Sequence, residues 1–127
     1  MNTNSKTVLL VEDDKFLSSL LKNRLEKEGI IVYLAEDGEI AFEALRQQNP
    51  DLVLLDIILP KKTGFEFLEE IQQNPLLKNK PVIIISQLGQ EADVSRGKEL
   101  GAIEYFVKAQ TSIEDLVKKI KSFLVSS

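Results

Sequence analysis

Apolar residues fall into two rhythms along this chain. Unbroken aliphatic runs, Val8 to Val11, Leu52 to Leu55 and Val82 to Ile85, read as strands buried on both faces. Between them apolar positions recur every three or four residues, the spacing of a helix with one buried face. The first such stretch, residues 15–28, gathers Phe16, Leu17, Leu20, Leu21 and Leu25 on one face, and Gly29 stops it. Ile30 to Ala35 reads as a second strand. Asp37-Gly38 is a turn into a helix carrying Ile40, Ala41, Ala44 and Leu45, which Asn49-Pro50 breaks. Asp56 ends the third strand. A loop with Pro60 and Gly64 then leads to a helix with Phe65, Leu68 and Ile71. Pro81 precedes the fourth strand. Residues 90–100 form a weakly apolar helix with Gly97 inside it and Ala92, Val94 and Leu100 as its chief anchors. Ile103 to Val107 is a fifth strand. The last helix starts at Ser112, with Asp115 as its capping-box partner, and turns Ile113, Leu116, Val117, Ile120 and Leu124 inward.

Five strand–helix pairs in strict alternation are the pattern of an α/β fold, a doubly wound parallel sheet covered by helices on both faces. Strands two and five carry Tyr33, Glu104 and Tyr105 and read as edges. A strand order of 2-1-3-4-5 satisfies this arrangement and makes strands one and three neighbours. There is no internal repeat, linker or low-complexity segment.

Composition narrows the chemistry. The 127 residues suit one domain, with residues 7–125 as its body, 1–6 as a loose N-terminal tail and 126–127 as a short C-terminal one. Cysteine and histidine are both absent, which excludes disulfides, a thiol nucleophile, a histidine base and the usual zinc sites. Twenty acidic against sixteen basic residues give a net charge of −4, which disfavours direct nucleic-acid binding. The polar start MNTNSK is no signal peptide, and no run approaches the about 20 apolar residues of a membrane span. A cytoplasmic location is the expectation.

In an open parallel sheet, ligands bind outside the carboxyl ends of the strands. Glu12, Asp13 and Asp14 follow strand one, Asp56 follows strand three, Ser86 closes strand four and Lys108 follows strand five. Adjacent strands bring Glu12, Asp13 and Asp56 together. Two carboxylates about 4 Å apart repel by roughly 4 kcal/mol at an effective dielectric near 20. A divalent cation is the simplest compensation, and oxygen-only ligation suits Mg2+, or Mn2+. Retained waters leave coordination positions for phosphate oxygens. With Lys108 as a positive charge and Ser86 as a hydrogen-bond donor, this becomes a phosphoryl-transfer site. Asp56, a single carboxylate at the mouth of a central strand, is the best nucleophile.

Taken alone, Glu12 to Asp14 is an acidic turn that caps a helix, Ser86 a strand-end serine and Lys108 a surface lysine. Their joint placement turns Asp13, Ser86 and Lys108 into site residues and leaves Asp14 as the helix cap. Lys61, Lys62, Lys118, Lys119 and Lys121 read as solvated faces, and Pro60 and Gly64 as shapers of the loop after Asp56.

Over residues 7–125 the chain resembles the response-regulator receiver domain of two-component signalling. The pieces that carry the resemblance are VLLVEDD, LVLLDIILPKKTG, PVIIIS and EYFVK, in that order and spacing. The resemblance implies the flavodoxin-like three-layer sandwich already read from the alternation. It implies that Asp56 accepts a phosphoryl group from a phosphohistidine on a sensor histidine kinase or phosphotransfer protein. Asp13, Asp56 and the backbone carbonyl of Ile58 would bind Mg2+, and Glu12 would hold a metal-bound water. Ser86 and Lys108 would contact phosphoryl oxygens. Tyr105 would be the aromatic switch residue that follows Ser86, altering the surface of the fourth helix, fifth strand and fifth helix for a downstream protein. The domain would catalyse only its own phosphorylation and dephosphorylation. Homodimerisation is left open.

The chain departs from the family pattern where Ala109 stands for the usual cis-proline, so a trans Lys108–Ala109 bond is expected. Gln87 replaces a small residue after Ser86. Ile58 and Leu88, both apolar, flank the path of attacking water and are expected to slow loss of the phosphoryl group. No output domain is expected within these residues, so the chain reads as a stand-alone receiver or part of a longer regulator. Three other functions compete. A degenerate receiver would bind partners without phosphorylation. A haloacid-dehalogenase-like phosphatase wants a second aspartate where Ile58 stands. A flavin or nucleotide carrier wants a glycine-rich loop where VEDDKF stands.

Overall fold

In the computed structural model, residues 6–126 are described. The expected tails fall on 1–6 and 126–127, of which 1–5 and 127 lie outside the described residues. The elements alternate as β1 (Thr7–Val11), α1 (Lys15–Lys27), β2 (Ile31–Ala35), α2 (Gly38–Gln48), β3 (Leu52–Leu55), α3 (Gly64–Gln72), β4 (Val82–Ser86), α4 (Glu91–Glu99), β5 (Glu104–Val107) and α5 (Ile113–Ser126). A single 3-10 turn, Lys108–Gln110, joins β5 to the approach of α5. The five strands are parallel in the order β2-β1-β3-β4-β5, as the alternation requires.

Strand side chains divide between two apolar layers. Leu9, Val11, Val53, Leu55 and Ile84 meet Ala41 and Leu45 of α2 and Phe65, Phe67, Leu68 and Ile71 of α3. Val8, Leu10, Leu52, Leu54, Ile83 and Ile85 meet Leu21 and Leu25 of α1 and Leu116, Val117, Ile120 and Leu124 of α5. Full burial of such a side chain contributes about 1.5–3 kcal/mol. That is why both faces of β1, β3 and β4 had to be aliphatic.

Helix starts follow local chemistry. Asp14 accepts from the N–H groups of Phe16 and Leu17, and Asp37 from those of Glu39 and Ile40. The Ser112 hydroxyl accepts from Asp115 N–H at 3.1 Å. Gly29 ends α1 with φ 83°, a left-handed backbone that glycine adopts without steric cost.

Three packing expectations need correction. Phe16 is 81% exposed. The buried stripe of α1 is Leu17, Ser18, Leu21 and Leu25, and Phe16 lies one residue's rotation off it. Ala92 is exposed, so α4 is held by Val94, Leu100 and the buried Gly97. Lys62 is not a solvated lysine: it is half-buried, paired with Glu70 and seated over the Phe42 ring.

Candidate functional site

Sheet register builds the site. Val11 pairs with Leu55, so the next residues, Glu12 and Asp56, emerge side by side at the carboxyl edge. Asp56 N–H donates to Val11 O at 3.0 Å, and Glu12 N–H to Ala35 O at 3.0 Å, which extends the ladder past the last strand residue on both sides. The β4–β5 pairing sets Ser86 opposite Val107, so Lys108 leaves β5 at the same edge.

Glu12 and Asp56 are almost wholly buried, and Asp13 is exposed. Carboxylate oxygens of the three lie within 4.8 Å of one another. Lys108 Nζ reaches both buried acids, 3.0 Å from Glu12 Oε1 and 3.0 Å from Asp56 Oδ2. One ammonium faces three carboxyl groups, which leaves an excess of negative charge in a partly desolvated place. Glu12 registers that excess. Burial, then the Asp56 charge, push its carboxyl up to about 7, against the opposing pull of the Asp14 N–H and Lys108. Burial alone would lower Lys108, but its bonds to Glu12 and Asp56 carry it above its ordinary value and keep it charged. Three convergent oxygen donors, an unbalanced negative charge and an exposed carboxylate on the solvent side suit a hard divalent cation.

The Ile58 carbonyl was expected as a further metal ligand. Its residue lies in the β3–α3 loop with the side chain exposed, and its N–H donates to Asp56 Oδ1 at 3.3 Å. The loop returns tightly: Gly64 N–H donates to Ile57 O at 2.8 Å, and a β-carbon on Gly64 would stand 2.7 Å from Ile57 Cα.

Ser86 is fully buried, and its hydroxyl accepts from Leu88 N–H at 3.2 Å. Tyr105 points inward, with its hydroxyl donating to Leu88 O at 2.6 Å. Burial pushes the Tyr105 phenol above its ordinary value, against a hydrogen bond from Ser86. Ser86 at the end of β4, Leu88 of the β4–α4 loop and Tyr105 of β5 therefore form one connected unit. Gln87 points to solvent. Among the described residues no peptide bond is cis, Lys108–Ala109 included, and the 3-10 turn there still delivers Lys108 to Asp56.

The structure brings Glu12, Asp13, Asp56 and Lys108 into one cluster, and Ser86 and Tyr105 into a second one on the adjoining strands. Two contacts had no sequence signal. The Lys61 ammonium lies 3.7 Å from Asp37 Oδ2, and Gly97 of α4 backs onto the Tyr105 ring. Asp37-Gly38 reads in sequence as ordinary turn chemistry, and Gly97 as a weak point in a helix. Only the packing shows what each one faces.

Comparison with known proteins gives the same assignment. The profile of the response regulator receiver domain matches residues 8–121. The transcriptional regulatory protein CpxR of Klebsiella pneumoniae subsp. pneumoniae (strain HS11286) is 44% identical over 117 residues, which cover 92% of this chain and 48% of CpxR. CpxR of Escherichia coli (strain K12) is 43% identical with the same coverage, so the chain spans about half the length of these relatives. Among solved structures, the Mn2+-bound form of response regulator Rcp1 superposes with a TM-score of 0.79 at 37% identity, covering 92% of this chain and 90% of that one. The BeF3-activated receiver domain of Klebsiella pneumoniae RstA gives 0.85 at 28% identity, covering 94% and 98%. The phosphorylated cyanobacterial phytochrome response regulator RcpA gives 0.83 at 35% identity, covering 95% and 94%. With a profile match over most of its length and relatives above 40% identity, the chain belongs to the response regulator receiver domain family, the phosphorylation-based switch of two-component signalling.

Proposed function

We infer that this domain takes a phosphoryl group on Asp56 in a Mg2+-dependent reaction, with a phosphohistidine of a sensor histidine kinase or phosphotransfer protein as donor. One observation carries this reading: Asp56 is buried at a central strand end, held by Lys108 at 3.0 Å and within 4.8 Å of the Glu12 and Asp13 oxygens. A buried carboxylate so placed is restrained in the position from which it would attack.

Asp13, Asp56 and the Ile58 carbonyl would hold the cation, and Glu12 one of its waters. When bound, Mg2+ supplies neutralisation of charge on the phosphoryl oxygens; the Mn2+-bound Rcp1 supports a divalent ion in this fold. In the transfer, an Asp56 oxygen forms the bond to phosphorus as the phosphorus–nitrogen bond to the donor imidazole breaks. The imidazole leaves with the electron pair and takes up a proton. Lys108, already charged and engaged with Asp56, follows the added negative charge onto the phosphoryl oxygens. Ser86 donates a hydrogen bond to another of them. Glu12 stays beside Lys108 and keeps its ammonium in line. The domain turns over no other substrate; its chemistry is its own phosphorylation and dephosphorylation.

The output is conformational. Phosphorylation replaces the single negative charge of the Asp56 carboxylate with a phosphoryl group carrying about −1.5 to −2. Drawing the Ser86 hydroxyl toward that group changes the unit it forms with Leu88 and Tyr105. That unit touches α4 and β5, so the altered surface is α4, β5 and α5, and its reader is a protein. The net charge of −4 favours a protein over nucleic acid as the direct partner of this domain. No helix among the described residues is long and apolar enough to cross a membrane.

Incubation with acetyl phosphate and Mg2+, read by intact mass, tests the proposal. One phosphoryl adduct is expected on the wild type, lost in Asp56→Asn and on chelation of the metal. An unmodified wild type, or an adduct that persists in Asp56→Asn, overturns it.

A further inference from the structure

The β3–α3 loop meets the start of α2 at two successive residues. Lys61 holds a left-handed backbone with φ 68°. A side-chain-bearing residue keeps that conformation only where its surroundings dictate it. Its ammonium lies 3.7 Å from Asp37 Oδ2, while Asp37 Oδ1 accepts from the N–H groups of Glu39 and Ile40, each at 2.9 Å. One carboxylate thus caps α2 with one oxygen and faces the loop with the other. Gly38 then backs directly onto Lys62. A β-carbon at Gly38 would stand 2.6 Å from Lys62 Cβ and 2.8 Å from its carbonyl oxygen. Lys62 has little room to retreat, because its ammonium pairs with Glu70 of α3 and sits 5.4 Å from the Phe42 ring centroid.

The inner side of the same loop is equally close. Gly64 lies against Ile57, as described above, and Asp56 Oδ1 accepts from Ile58 N–H. Residues 57–62 are therefore held between the end of β3 and the first turn of α2. Capping alone would not need this arrangement. The cap uses Oδ1 and the N–H groups of α2, and it makes no demand on Lys61 or on the lack of a side chain at Gly38.

We propose that Asp37 and Gly38 are positioning residues for the acceptor site: the first turn of α2 fixes the path of residues 57–62 and thereby sets the affinity of the Asp56 site for its divalent cation. The proposal rests on the reading of Asp13, Asp56 and the Ile58 carbonyl as metal ligands. Neither Asp37 nor Gly38 touches the cation or the phosphoryl group. They act through Lys61 and Lys62 on a loop whose backbone supplies a ligand.

The test is calorimetric titration of MgCl2 into the wild type, Gly38→Ala, Lys61→Gly and Gly101→Ala. Thermal melts confirm that each is folded, and amide hydrogen exchange of residues 57–62 is followed without metal. Gly38→Ala drives a wedge between α2 and the loop, and Lys61→Gly removes the ammonium that faces Asp37 and leaves the backbone there free to move. Gly101→Ala is a control, strained at φ 105° but placed after the C-terminal end of α4, where it faces Gln72 at the end of α3 and not residues 57–62. Both loop variants are expected to bind Mg2+ about 10-fold more weakly, the low end of what lost outer support costs a metal site. Exchange of 57–62 should quicken in both. Gly101→Ala should melt earlier with an unchanged Mg2+ affinity. An affinity for Gly38→Ala within twofold of wild type, or equal weakening by Gly101→Ala, overturns the proposal. If Gly38→Ala does not fold, Lys61→Gly decides by the same criterion. A wild type that takes up no Mg2+ overturns the metal-site reading itself, and the proposal with it.

Discussion

Ile58 offers its N–H to the Asp56 carboxylate while its side chain stands 50% exposed, and Leu88 is partly buried beside Ser86. Both are apolar, so neither can orient a water by hydrogen bonding. The double variant Ile58→Asn, Leu88→Glu is expected to lose its phosphoryl group several-fold faster, measured as decay of the intact-mass adduct after the donor is removed. Asp37 gives a pH prediction. The Ile40 N–H and then Lys61 hold its carboxyl below the ordinary value of 3.8. A lowered folded-state value means stability that is present above that ordinary value and is lost as pH falls through the folded one. Asp37→Asn keeps the cap but has no charge to lose. Urea unfolding should therefore show a shallower decline for the variant below about pH 4. The site residues were legible in sequence because each is a polar group directly after an aliphatic run. The Asp37–Lys61 and Gly38–Lys62 contacts were not, since they join positions more than twenty residues apart that share no pattern.

Among the elements, α4 is the least anchored. Gly97 is its one fully buried residue, and the apolar contacts around it come from the partly buried Val94 and Leu100. The sequence reads Gly97 as a helix defect costing about 1 kcal/mol. Packing gives it a use: a β-carbon there would stand 2.7 Å from Ile84 Cδ1 and 2.9 Å from Tyr105 Cδ2. The glycine makes room for the inward Tyr105 ring. Overpacking a core costs about 1–3 kcal/mol, which exceeds the helix propensity that alanine would restore. Gly97→Ala is therefore expected to destabilise the domain in urea unfolding, with Tyr105 driven toward solvent and its fluorescence changed. A gain in stability would show that the ring does not need the gap. Strands β1, β3 and β4 were the easiest elements to read, because a strand buried on both faces tolerates little but aliphatic residues. The first turn of α1 was misread because Phe16 satisfies helical spacing without sitting over the sheet.

For the molecule as a whole, three carboxyl groups held together against one ammonium would tie folding to the proposed cation. A ligand bound only by the native state adds about 2.7 kcal/mol at a hundred times its dissociation constant. Mg2+ at that excess should raise the unfolding free energy of the wild type by about this amount. Asp13→Asn, which removes the exposed carboxylate proposed as a ligand and no core contact, should respond much less. A phosphate mimic such as beryllofluoride should shift amide resonances across residues 86–108, where Ser86, Tyr105 and α4 adjoin, with far smaller changes in β2. By itself the sequence determined the fold class, the strand order and the edge of the sheet at which Glu12, Asp13, Asp56 and Lys108 gather. Those follow from local periodicity and from which polar residues end the apolar runs. Tertiary structure alone decided that Lys108 bridges Glu12 and Asp56, that Tyr105 faces inward over Gly97, and that α2 bears on the β3–α3 loop. Each of these depends on the three-dimensional path of loops whose residues obey no period, and the close approach of distant backbones leaves no mark in either partner's neighbourhood.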